Sequence, residues 1–263
     1  MSEYESALTY SKYLSIEELL KLQHPLSDGP EHDELLFIVI HQTYELWFKQ
    51  LLHEIEEAQR ALESGDTHYG LALLGRIRTI MKICVAQIDI LETMTPRQFN
   101  SFRARLESAS GFQSAQFREF EAILGRRDSR AAAHLDPQSR ARVEARMSKA
   151  SLWDSALKYF ALRGTQIPNA ILERDVSKAY QPSSEVQRAL LLMHEKDAEA
   201  GLICERLLDI DEGLQEWRYR HVKMVERTIG SKSGTGGSSG SEYLKSTLFH
   251  PVFPDLWSIR SEF

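Results

Sequence analysis

Apolar residues recur at spacings of three and four along most of this chain, the period of a helix packed on one face. No stretch alternates apolar with polar as a half-buried strand would. The pattern predicts a short helix over 15–23, with Ser15 as N-cap and Glu18 at N3. A loop follows, marked by Pro25, Gly29 and Pro30. A long helix then runs from Asp33 to Ser64 and is stopped by Gly65. A second runs from His68 to Glu92. Thr95-Pro96-Arg97-Gln98 reads as a helix start, with Thr95 as cap, Pro96 at N1 and Gln98 at N3, and opens a helix over 96–107. Gly111 breaks the chain before a helix over 113–124. Residues 125–165 form a charged, weakly patterned excursion, with a helix cap at Asp136-Pro137. Ser183 opens a long helix to Asp209, and Glu212 opens another to Thr228. The expected architecture is all-α: a single helical domain over 1–263, of about eight helices, with about four long antiparallel ones as its core.

Composition narrows the function classes without changing the fold. The net charge of -6 removes the basic face that nucleic acid demands, so no nucleic-acid partner is expected. The longest apolar run, Leu35 to Ile40, is far too short to cross a bilayer, and no dense basic run suggests a membrane surface. The acidic start MSEYESALTY has no apolar core of a signal peptide. Cys84 and Cys204 stand far apart without a partner motif and read as free thiols in a reducing compartment. A cytoplasmic protein is expected.

Two helices carry histidines in unusual company. On the first long helix, Phe37, His41, Tyr44 and Phe48 share a face, so His41 is framed by aromatics. Either it is a core histidine satisfied by a nearby carbonyl, or it is a base or acceptor at the wall of an aromatic pocket. On the later helix, Leu214, Trp217, His221, Met224, Val225 and Thr228 make an apolar stripe on which His221 is the one titratable residue. Such a residue is either plain core or an axial haem ligand facing a bundle interior. No glutamate lies three residues before any histidine and no HExxH occurs, which speaks against a carboxylate di-iron site or a zincin. No CxxCH occurs, so a haem would not be covalently attached. Phe99 and Arg103 lie one turn apart, an arrangement that can clamp a carboxylate beside an aromatic wall. The stretch GSKSGTGGSSGS, 230–241, is a flexible linker by composition or a Gly-rich loop that folds over a ligand. It lacks the GK[ST] ending of a P-loop and follows a helix, so it is not a phosphate cradle.

Six stretches together carry a resemblance: LTYSKYL, HDELLFIVIHQTYELWFKQ, LETMTPRQFNSFR, SASGFQSAQFR, EWRYRHVKMVERTIG and GSKSGTGGSSG. In this order, spanning 8–240, they resemble the tryptophan 2,3-dioxygenases. The resemblance implies an all-helical homotetramer with a haem pocket between helices and one haem b per subunit. It further implies cleavage of the indole C2–C3 bond of L-tryptophan by O2, giving N-formyl-L-kynurenine. His221 matches the axial iron ligand and His41 the histidine that receives the indole N–H. Phe37 and Phe99 match the walls that pack on the indole, and Arg103 the group that holds the substrate carboxylate. Thr235 matches the threonine that contacts the ammonium and carboxylate, and Ser110 a residue near the haem edge. Tyr10 and Tyr13 match N-terminal tyrosines (segment 1–23) that reach a neighbouring subunit's site. Position 99 is tyrosine in some bacterial members and phenylalanine here, so carboxylate binding leans more on Arg103. The alternative on the same scaffold is oxidation of a substituted tryptophan, such as 3-methyl-tryptophan, with one oxygen inserted. A haem sensor or carrier would need no carboxylate clamp, and a cofactor-free helical scaffold would be colourless.

Overall fold

The computed structural model describes residues 8–29, 31–107, 109–230, 232 and 244–263; Thr235 and most of the Gly-rich stretch lie outside them. Among the described residues the secondary structure is helical throughout. Three long helices form the frame: α3 (His32–Glu63), α4 (Thr67–Leu91) and α11 (Ala198–Ile229). The expectation of four is thereby corrected to three, with α6 (Ala115–Leu124), α8 (Leu152–Leu162) and α10 (Ser184–Lys196) completing the core as shorter helices.

Helix α4 packs against both α3 and α11. The Tyr44 hydroxyl donates to the Cys84 carbonyl at 2.8 Å, tying α3 to α4 within the core. Gly65 ends α3 in the left-handed region (φ 79°), where glycine carries no steric penalty. Asp66 then caps α4 by accepting from the Tyr69 amide. Gly70 of α4 faces Leu62 of α3, where an added Cβ would stand 3.4 Å from Leu62 Cδ2. The predicted capping box at Thr95 and Gln98 is present and opens α5 (Pro96–Phe102). A 3-10 turn, Arg103–Leu106, continues α5 in place of the predicted α-helix to 107. Asp136 caps α7 (Pro137–Met147) with Pro137 in its first turn, as the sequence predicts. Helix α7 packs on α6, where a small cluster of Ala115, Ala132, Leu135 and Val143 is buried, whereas α8 places Trp153, Tyr159 and Phe160 in the main core.

Two boundaries differ from expectation. The first helix is not one element over 15–23 but two, α1 (Tyr10–Leu14) and α2 (Ile16–Leu19). Ser15 between them is left-handed (φ 49°) and its side chain makes no cap bond. The later break falls at Asp197, not between Asp209 and Glu212. Asp197 accepts from the Ala200 amide and so caps α11, which then runs unbroken for 32 residues. Gly213 of α11 faces α4, where an added Cβ would stand in ordinary contact with Met81 Cβ at 3.5 Å. Short α9 (Asn169–Leu172) bridges α8 and α10.

The chain after the Gly-rich stretch returns to α11. Fully buried Asp211 accepts from the amides of Val252 (2.9 Å) and Phe253 (3.0 Å) and from Trp257 Nε1 (3.0 Å). These bonds seat the C-terminal helix Pro254–Ser258 near the mid-point of α11. Among the described residues no helix is long and apolar enough to cross a membrane.

Candidate functional site

The amphipathic faces of α3 and α11 meet α5 and α6 around one cavity of about 230 Å³. Phe37, His41, Phe99, Arg103, Ser110 and His221 all line it. Six of the predicted site residues, from five segments of the chain, are thus brought together.

His41 is held from its own helix. Its Nδ1 lies 2.7 Å from the Phe37 carbonyl oxygen. A carbonyl only accepts, so Nδ1 carries the proton, and in the neutral ring Nε2 is left as an acceptor. Nε2 faces the loop at Gly111, 3.9 Å from where a Cβ would stand. Burial lowers the pKa of His41, against smaller upward pulls from the Phe37 carbonyl and the Glu45 carboxylate. The Glu45 carboxylate itself accepts from Gln116 on α6. The Phe37 ring packs on His41 with centroids 4.0 Å apart, and Phe99 and Phe102 complete an aromatic corner at 5.9 and 5.6 Å from Phe37.

His221 is built differently. Its ring lies parallel to Trp217, with centroids 5.0 Å apart and planes 3° apart. Trp217, one turn earlier on α11, packs in turn on Phe117 at 4.7 Å and edge-on to Tyr44 and Phe48. Among the described residues neither ring nitrogen of His221 has a hydrogen-bond partner. Burial, with the charges of His41 and Arg118 adding to it, pushes its pKa down to about 4. A neutral imidazole with an uncommitted nitrogen is what a metal ligand requires.

Arg103 begins the 3-10 turn after α5, one turn from Phe99, so a guanidinium stands beside the aromatic corner. Ser110 opens the next turn, its hydroxyl accepting from the Phe112 amide at 3.3 Å. Tyr10 and Tyr13 are 75% and 73% exposed on α1 and do not line the cavity within this chain. Sequence reasoning missed one group, the buried pairs joining Glu121 to Arg118 and Arg218 at the cavity wall. Arg118 and Glu121 are spaced i,i+3, but a pair between helices leaves no signal in the sequence.

Fold and cavity define an all-helical protein that encloses an aromatic-lined small-molecule site, with a neutral imidazole on each of two helices. Comparison with known proteins places it further. The tryptophan 2,3-dioxygenase family matches residues 1–136 and 198–263. The chain is 57% identical over 261 residues to the tryptophan 2,3-dioxygenase of Anaeromyxobacter dehalogenans (strain 2CP-C), covering 98% of this chain and 97% of that one. It is 55% identical over 257 residues to that of Herpetosiphon aurantiacus (97% and 98%) and 44% identical over 260 residues to that of Caulobacter vibrioides (97% and 98%). The chain belongs to the tryptophan 2,3-dioxygenase family. The stretch between the two matched segments carries α7 to α10.

Proposed function

We propose that this chain is a haem-dependent dioxygenase that opens the indole ring of L-tryptophan with O2, yielding N-formyl-L-kynurenine. The observation that carries the reading is the pairing, in one aromatic cavity, of a neutral His221 with no hydrogen-bond partner among the described residues and a His41 whose Nε2 can only accept. Haem is the cofactor of this family, and the residues suit it. His221 offers one nitrogen to iron, and the apolar side chains of Val222, Met224 and Val225 line the cavity around it. When bound, haem supplies the activation of O2.

The chain's own residues do the placing. His41 Nε2 receives the indole N–H, which fixes which edge of the ring faces the cofactor. Phe37 and Phe99 hold the ring by its faces. Arg103 takes the substrate carboxylate as a charge-assisted fork, and Ser110 stands at the cofactor's edge. Thr235 contacts the amino acid head from the Gly-rich stretch. Tyr10 and Tyr13 act in a neighbour's site within a homotetramer. Holding the amino acid at ring and carboxylate replaces a loose encounter with a fixed geometry, the orientation effect that enzymes use most broadly. Burial lowers the pKa of His41, which favours the neutral ring whose Nε2 accepts the indole N–H.

The test is turnover of reduced, haem-loaded protein with L-tryptophan under isotopically labelled O2. The expected product is N-formylkynurenine carrying both oxygen atoms. A product with one labelled oxygen, or turnover of 3-methyl-tryptophan in place of tryptophan, overturns the reading.

A further inference from the structure

At the α6–α11 wall of the cavity, guanidinium groups outnumber carboxylates. Glu121 of α6 pairs with Arg118 of its own helix at 2.7 Å and with Arg218 of α11 at 2.6 Å, while Arg126 stands at 3.9 Å. The side chains of Arg118, Arg218 and Glu121 are only 9%, 3% and 6% exposed. The other acids nearby are occupied. Asp211 is taken up by the C-terminal segment, Asp128 accepts from Arg130, and Glu45 accepts from Gln116. Two buried guanidiniums therefore share one carboxylate, and buried charge without a counter-charge is strongly unfavourable. The Nε of Arg118 is buried with no hydrogen-bond partner. Burial lowers the pKa of Arg218, against upward pulls from the Glu121 carboxylate and, more weakly, Asp211, while Arg126 adds to the lowering.

Arg118 is also held in place. Its guanidinium lies over the faces of Phe112 and Phe117, 5.0 and 5.5 Å from the ring centroids. Arg118, Glu121 and Arg218 line the same cavity as His221. We propose that Arg118, braced by Glu121 and Arg218, is the counter-charge for a peripheral carboxylate of the tetrapyrrole that His221 ligates. The alternative source of a carboxylate is the amino acid substrate, and position argues against it. Arg118 lies over Phe112 and over Phe117, which packs on the Trp217–His221 stack, whereas Arg103 stands on the turn after α5, one turn from Phe99, which packs on Phe37 beside His41. The inference rests on the haem reading above.

The test compares haem with its dimethyl ester, in which both carboxylates are blocked. Wild type, Arg118→Leu and Arg118→Gln are titrated with each, followed by the Soret band, and the rate of haem loss to apomyoglobin is measured. Thermal melts of the unloaded proteins confirm that each variant folds. Wild type is expected to hold haem more tightly than the ester by roughly tenfold or more, the scale of one charge-assisted hydrogen bond. Both variants are expected to lose that preference and to release haem faster. An undiminished preference for haem over the ester in a folded variant overturns the proposal. So does a raised KM for tryptophan with haem retention unchanged, which would assign Arg118 to the substrate. A wild-type protein that binds neither molecule would refute the haem reading itself, an outcome separate from any failure confined to Arg118.

Discussion

The two histidines of the cavity are opposites in how they are held. His41 is fixed by a bond from Nδ1 to the carbonyl one turn back on α3, and this bond decides its tautomer. His221 has no such bond among the described residues and stacks on Trp217. Both are neutral for the same reason, burial, yet they are left with different capacities. His41 presents an acceptor for an N–H. His221 presents a ring with neither nitrogen committed among the described residues.

The largest effect is expected at the charges behind His221. Glu121→Gln leaves two buried guanidiniums without a carboxylate and should cost about 3–5 kcal/mol of folding stability, the loss seen when one partner of a buried pair is removed. Urea denaturation measures it, and a loss under about 1 kcal/mol would show the cluster to be well hydrated. On the His41 side, Arg103→Ala should raise KM for tryptophan roughly tenfold or more, because a hydrogen bond to a charged group contributes about 1.5–3 kcal/mol. An unchanged KM would remove Arg103 from the site. His41→Ala should lower kcat/KM by on the order of tenfold or less, as one neutral hydrogen bond is lost. A loss of 10²–10⁴-fold would restore a base role.

The pH dependence separates the pair more gently. In the unfolded chain His221 takes up a proton near the ordinary value of 6.5, whereas in the folded protein it does so only at about 4. The unfolded state therefore binds the extra proton across that window, and the stability of haem-free protein should fall as pH drops from 6.5 towards 4. His221→Phe should flatten that fall in a urea series. A stability that rises over the same window would contradict a neutral, buried His221.

Much of this arrangement is legible in the sequence, because helices write their own faces and ends. The stripe that carries His41, the capping box at Thr95 and the cap at Asp136-Pro137 depend on neighbours within a turn or so. What depends on distant contact is not legible. The sequence places a helix break between Asp209 and Glu212, and only the structure shows Asp197 capping a helix that runs unbroken through both. The Glu121–Arg218 pair spans 97 residues, and no local pattern announces it. Periodicity alone also leaves His221 as plain core or ligand, and the family resemblance, together with a ring that has no hydrogen-bond partner among the described residues and lines the cavity, favours the second.

The most direct measurement is the visible and resonance Raman spectrum of the reduced, haem-loaded protein in three forms: wild type, His41→Ala and His221→Ala. Wild type and His41→Ala are predicted to show histidine-ligated haem, and His221→Ala to lose it. Histidyl ligation that survives in His221→Ala and disappears in His41→Ala would contradict the account by exchanging the two roles.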